Sequence, residues 1–186
     1  IDFTQYTMPR YRVAIHHHLL AAKLEAVERG EIDRLMCFMP PRHGKSELVS
    51  KRFPAWYIGR HPEREIISAS YGSDLSNDFG RDVRNIVDSQ QFKALFPKVN
   101  LAQDSQRKDN WHTGADGIYI AAGVSSGITG RGAHVLNIDD PIKDRQMADS
   151  QNERDRIWDW YTSTAYPRLM KGAAAIVTMT RWHEDD

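Results

Sequence analysis

Pro40-Pro41-Arg42-His43-Gly44-Lys45-Ser46 lies between an apolar run, Leu35-Met36-Cys37-Phe38-Met39, and a helix-compatible segment, Glu47 to Phe53. A buried strand, a tight turn ending in Gly-Lys-Ser and then a helix is the layout of a phosphate-binding loop. In such a loop the backbone N–H groups and the helix N-terminus surround a polyphosphate, the lysine neutralises it, and the serine hydroxyl ligates Mg2+. Lys45 and Ser46 would take those parts. One departure is plain: the first glycine of G-x-x-x-x-G-K-[ST] falls at Met39. A solvated turn is the competing reading.

Outward from the loop, strands alternate with helices. Ile15, Leu19, Leu20, Leu24 and Val27 recur at helical spacing, and Gly30 supplies a stop. Past the loop, Pro54 should kink or end the following helix. Glu65 to Tyr71 reads as a second strand, and Asp74 can cap a helix whose apolar face is Leu75, Phe79, Val83, Ile86 and Val87. The stretch from Phe92 to Gln106 is less regular. Trp111-His112 and Ile118 to Ala122 suggest a hairpin turning at Thr113 to Gly117. Gly123, Gly127, Gly130 and Gly132 crowd one short loop, where a backbone usually approaches a ligand or moves. Ser150-Gln151-Asn152-Glu153 reads as a capping box opening a helix through Trp158 and Tyr161. Ala173 to Thr180 is the last strand. The pattern argues for a largely parallel α/β sheet with its sites at the strand C-termini.

The second informative feature is Asp139-Asp140, at the end of the strand-like run Ala133 to Ile138. Adjacent carboxylates at the margin of a core are costly unless a cation or a proton transfer uses them. In phosphate-loop ATPases the first carboxylate holds the water shell of Mg2+ and the second orients or deprotonates the attacking water. Asp139 fits the first role and Asp140 the second. Glutamate is commoner in the second; aspartate is shorter by one C–C bond, ~1.5 Å. A strand-ending turn is the bland alternative, and the phosphate loop upstream weighs against it.

Bulk composition narrows the field further. The 186 residues fit one domain, and 25 basic against 25 acidic side chains leave no global field to draw the chain to DNA or an anionic membrane. A nucleic-acid contact must therefore use a local patch. The single cysteine, Cys37, excludes an internal disulfide and suits a small core residue in a reducing compartment. No apolar stretch approaches the ~20 residues that span a bilayer. Trp56, Tyr57, Trp158, Trp160 and Tyr161 sit in helical contexts, which favours packing over base stacking.

Taken together, these segments resemble the ATPase domain of the large terminase subunit, the DNA-packaging motor of tailed bacteriophages and prophages. The matching stretches are Gly30 to Ile32, Met39 to Glu47, Phe53 to Tyr57, Ser70-Tyr71, Phe79 to Arg81, Ile128 to Ala133, Ile138 to Lys143 and Thr180 to Asp186, in the family's order. The family's phosphate loop is divergent at its first glycine. The resemblance implies a P-loop NTPase fold of the additional-strand type, with ATP and Mg2+ as cofactors. It implies double-stranded DNA, the portal protein and the small terminase subunit as partners, a homo-oligomeric ring on the procapsid, and the cytoplasm of the bacterial host as location. Residues 1–186 would be the ATPase domain. The family's nuclease domain would follow in the full-length protein and is absent from this chain, which stops just after a motif.

Roles carry over by position. Pro41, Arg42, His43, Gly44, Lys45, Ser46 and Glu47 form the nucleotide-binding loop, with Ser46 and Asp139 toward the metal. Arg42 matches the basic residue the family places inside the loop, where a guanidinium would stabilise the transferring phosphoryl group. Thr178-Met179-Thr180 matches the coupling motif at the end of the strand beside the carboxylate strand. His16-His17-His18 stands where the family reads adenine, and His17 would replace the usual glutamine. Zinc is disfavoured there, because consecutive helical residues point ~100° apart. Arg131 would be an arginine finger reaching into a neighbouring subunit, with Arg181 the competing candidate. Two other readings stand beside the motor: a helicase-like ATPase, which needs further motifs, and a nucleotide-binding assembly module with little turnover.

Overall fold

The computed structural model describes residues 1–128 and 130–186, and of Gln106 the backbone alone. Thr129, inside the matching Ile128 to Ala133 stretch, lies outside the described residues. Seven strands form one sheet: β1 (Arg34–Phe38), β2 (Glu65–Ser70), β3 (Leu101–Gln106), β4 (Asn110–Thr113), β5 (Ile118–Gly123), β6 (Ala133–Asp139) and β7 (Leu169–Met179). Their order is β1-β7-β6-β2-β5-β4-β3. The first five in that order run parallel, and β4 and β3 extend the sheet antiparallel. β7 therefore sits between the loop strand β1 and the carboxylate strand β6, which is the additional-strand arrangement.

Alternation along the central strands builds two cores. Ile66, Val135 and Ile176 face one side with Leu20, Leu24, Val49, Phe53, Val83 and Phe92. Their sequence neighbours Ile67, Leu136 and Ala175 face the other with Trp160 and Ala165. The helices behind the first core are α1 (Asp2–Thr7), α2 (Ile15–Glu28), α3 (Phe53–Arg60), α4 (Ser73–Asp88) and α5 (Gln90–Leu95); α6 (Arg145–Asp149) and α7 (Gln151–Trp160) follow β6. On the first face the strands turn polar toward their C-terminal ends, with Ser68, Ser70, Asn137, Asp139 and Thr178 all fully or almost fully buried. The site lies under that polar end.

The helix after the loop answers one half of the expectation for Pro54, that the helix should end there. Pro54 neither ends nor breaks it. Residues Glu47–Arg52 wind into a wider π turn, closed by the Phe53 N–H donating to the Leu48 carbonyl, and the chain continues as α3. In this winding Pro54 would owe a hydrogen bond to Val49 but has no N–H to give. The Asn137 side-chain amide on β6 donates to the Val49 carbonyl instead, at 3.2 Å.

Other expectations are corrected by burial. Ile15 and Leu19 are 88% and 65% exposed; α2 buries His17, Leu20, Ala21, Leu24, Ala26 and Val27 instead. Gly30 does follow that helix, at φ 75°, a conformation glycine adopts without strain. Asp74 lies within α4 and caps nothing; the helix begins after Gly72. Ser150 precedes α7 without a side-chain cap bond, so the capping box does not form. Trp158 is 64% exposed, against the packing role expected of it, while Tyr57 and Trp160 are buried. β1 is an edge strand rather than a buried one: it pairs with β7, and Met36 and Phe38 on its outer side chains are exposed. The hairpin is β4–β5, as its spacing suggested. β3, in the stretch read as irregular, was not visible in the pattern. No helix among the described residues is long and apolar enough to cross a membrane.

Candidate nucleotide-binding site

The loop leaves β1 at Met39, and the following helix begins with the Leu48 N–H donating to the Gly44 carbonyl at 3.1 Å. Two positive-φ residues shape the turn: Arg42 at 62° and Gly44 at 82°. Gly44 is required twice over. A Cβ there would be strained, and it would lie 2.6 Å from both His17 Nε2 and Tyr11 Oη.

Lys45 points inward and is 5% exposed. Its ammonium donates to Asp139 Oδ1 at 3.4 Å and, in closer contact, to Asp140 Oδ2. Residues 94 and 95 positions apart are thus joined by one cation. Asp139 is 1% exposed. Burial pushes its carboxyl above the usual carboxylate range; Lys45 and the Ser46 and Ser50 hydroxyls oppose the shift, and the neighbouring Asp140 adds to it. Ser50 donates to Asp139 Oδ2 at 2.7 Å.

Asp140 just follows β6 at φ 46°, a conformation that costs an aspartate less than most side chains. Three contacts impose it. Its N–H donates to the Thr178 carbonyl at 2.7 Å, its carbonyl accepts from the Tyr71 N–H, and its Oδ1 accepts from the Thr180 N–H at 2.9 Å. Thr180 also donates its hydroxyl to the Met39 carbonyl at 3.2 Å, joining the end of β7 to the start of the loop. Thr178 pairs in register with both Asp139 and Cys37, and its buried hydroxyl finds no partner among the described residues. Both threonines thus border the acids, one through its backbone and one through an unsatisfied hydroxyl.

A cleft of about 350 Å3 opens over this floor, lined by Arg42, Gly44, Lys45, Ser46, Glu47, Lys51, Leu75 and Phe79. Arg42 is exposed at its mouth. Glu47 is engaged by Arg52 at 2.7 Å and lies 3.7 Å from Lys51, whose ammonium reaches Asp82 at 2.7 Å. Pro41 contributes its carbonyl to the His43 ring at 2.8 Å.

His17 braces the loop from behind. Its Nδ1 accepts from the Ala14 N–H at 3.0 Å and its Nε2 approaches the His43 carbonyl at 2.9 Å, so the Nε2–H tautomer fits. Both nitrogens are committed in a side chain 6% exposed, and contacting an adenine edge would mean giving one up. His16 Nε2 reaches the same carbonyl at 3.3 Å, so two consecutive histidines do converge, against the expectation from helical geometry, though on a carbonyl oxygen. No group of three or more His, Cys, Asp or Glu among the described residues is placed to hold a metal.

Arg131 is not near this site. It is exposed and precedes β6 at the N-terminal edge of the sheet, where Gly132 packs on Met170. The strand that separates it from Asp139 spans ~20 Å at ~3.3 Å per residue. Arg181 lies at the correct edge, stacked on Phe38 with its centre 5.2 Å from the ring and bound to Asp186 at 2.7 Å.

Sequence reading missed Ser50 and Asn137. Helical and strand periods would have found both: Ser50 is four residues past Ser46, on the same helix face, and Asn137 is two before Asp139, on the same strand face. Leu75 and Phe79 were read only as core, yet they form the apolar wall of the cleft.

A parallel sheet with a Gly-Lys-Ser loop at one strand end and two acids at another, joined by the loop lysine, defines a P-loop NTPase fold. The chain belongs to the terminase large subunit family, T4likevirus-type, N-terminal domain, whose family model matches residues 36–186. It is similar in structure to the large terminase of bacteriophage HK97, with a TM-score of 0.60, 13% sequence identity and 97% of this chain covered. The chain spans 37% of that terminase. No curated protein matches it in sequence.

Proposed function

We propose that this chain is an ATP-hydrolysing motor domain that drives double-stranded DNA into a procapsid. The observation that carries the reading is the Lys45 ammonium lying between Asp139 and Asp140 at the mouth of the loop. That cation marks where charge must be balanced, and the hard oxygen donors around it suit Mg2+ held partly by phosphates. Ser46 and Asp139 would hold the ion, which supplies neutralisation of the phosphoryl oxygens.

The chain's own groups do the rest. The N–H groups at Gly44, Lys45 and Ser46 face a polyphosphate at a helix N-terminus. Lys45, released from the acids, turns its charge to the phosphates. Asp140, then freed on Oδ2 and still held on Oδ1 by the Thr180 N–H, orients a water and takes its proton. Arg42 at the cleft mouth stabilises charge on the transferring group. Thr178 and Thr180 connect the occupancy of the site to β7, with Thr180 fixing both Asp140 and the loop.

The family supports a packaging role in general, and the same proposal extends it to a homo-oligomeric ring on the portal protein, the small terminase subunit, and the bacterial host's cytoplasm as the working place. A nuclease domain elsewhere in the full-length protein would cut the packaged DNA. Lys45→Ala in that protein tests the site. Nucleotide affinity should fall at least about tenfold, the weight of one charge-assisted hydrogen bond. Unchanged binding by titration calorimetry refutes the assignment.

A further inference from the structure

The acid assigned to the metal is gripped from behind by groups that neither the loop motif nor the carboxylate pair includes. Ser50 is fully buried on the π turn, and its hydroxyl donates to Asp139 Oδ2 at 2.7 Å. Asn137, also fully buried, donates through Nδ2 toward the Ser50 oxygen at 3.4 Å and to the Val49 carbonyl at 3.2 Å. Every donor in this chain runs one way, from amide to hydroxyl to carboxylate. The serine proton is therefore committed to Asp139, because its oxygen already faces an N–H.

We propose that Ser50, oriented by Asn137, is a positioning residue for the metal-binding carboxylate. It occupies Oδ2, so that Oδ1, the oxygen facing Lys45, is the one presented to the site. The inference rests on the nucleotide-site reading above. The local backbone explains why it works. A regular helix would turn the Val49 carbonyl into the helix's own ladder, and an ordinary residue at 54 would supply an N–H to the wide turn. Pro54 leaves that carbonyl open, which anchors Asn137 at a fixed distance from Ser50. The π turn and the proline together act on the acid through two side chains.

Ser50→Ala and Ser50→Cys in the full-length protein test this, with fluorescent ADP as probe and Mg2+ titrated at fixed nucleotide. In Ser50→Ala the Mg2+ concentration at half-saturation should rise about tenfold or more, the range found when an outer partner of a metal ligand is removed. Metal-free ADP affinity should stay as in wild type, a split that a general loss of structure would not give. Ser50→Cys, close in volume and a weak donor, should fall between the two, and it carries the test if the alanine variant does not fold. An unchanged Mg2+ half-saturation in a variant that binds ADP overturns the positioning role and leaves the nucleotide site standing. Wild-type protein that binds ADP no better with Mg2+ than without it overturns both.

Discussion

At residue scale the site is set by two adjacent acids in different surroundings. Asp139 is buried on the strand and Asp140, one residue later, is half-buried and turned by its positive φ toward the cleft. Neighbours in sequence on a strand face opposite ways, so both can meet Lys45 only because the strand ends between them. Asp140→Asn should keep nucleotide binding nearly unchanged and lower hydrolysis ~10²–10⁴-fold, the usual weight of general-base catalysis. If the variant instead loses Mg2+-dependent affinity, the two acids have exchanged roles. The pairing of these acids with Lys45 was legible in the sequence, since motif and strand context both pointed to the same edge. The grip of Ser50 and Asn137 was not. The periods place Ser50 on the face of Ser46 and Asn137 on the face of Asp139, but they do not say that the two side chains meet across the sheet.

Elements show where sequence pattern succeeds and where it fails. Strands β1, β2, β6 and β7, which carry the site, were readable because apolar runs ended at turn-forming or charged residues. β3 was not, because Gln103 to Gln106 is an unbroken polar run with no alternation, at a sheet margin. The helix after the loop does not end at Pro54, for a physical reason: Pro54 removes one donor, and the π winding together with Asn137 makes up for it. Ile15 and Leu19 fit a helical period but lie on the wrong side of α2, where His17 takes the buried position to brace the loop. The far end of α2 is tied to α3 in another way. Burial alone would raise the Glu28 carboxyl, but hydrogen bonds from Arg60 and His61 outweigh it and hold the group below the usual carboxylate range. Its stabilising effect is then complete at neutral pH and is lost as pH falls through the lowered folded-state value. Glu28→Gln should destabilise the protein by about 1 kcal/mol at neutral pH in urea melts, Arg60 being half exposed. The difference from wild type should shrink as pH falls through the lowered folded-state value and vanish below it; a constant difference across pH would show that charge is not its source.

The whole molecule sets a geometric condition on assembly. Arg131 lies at the N-terminal edge of the sheet and the acids at the C-terminal edge, so a finger from Arg131 can serve only a neighbour that presents the opposite end. In a ring of the kind proposed above, that condition would be met by a head-to-tail, heterologous contact that closes by rotation. Arg131→Ala should leave nucleotide binding by the isolated subunit intact and lower hydrolysis by the assembled ring about 10³-fold or more. Mixing variant and wild-type subunits decides the matter: hydrolysis that falls only in proportion to the mutant fraction, with no penalty on wild-type neighbours, rules out a role in trans. Fold class and loop were evident from the chain alone, and so was this separation, because Arg131 precedes and Asp139 ends the same strand-like run; the nearness of β7 and Arg181 to the acids needed the sheet order.

The Lys45 contacts carry one more implication. With its own ammonium spanning Asp139 and Asp140, one positive charge is set against two carboxylates, and a lone divalent ion would meet a competitor already seated there. A polyphosphate at the loop would offer the lysine an alternative counter-charge, and the ion would then reach the acids as the lysine turns away. Loading would then be ordered by competition, with ion and phosphates favoured together over the ion alone.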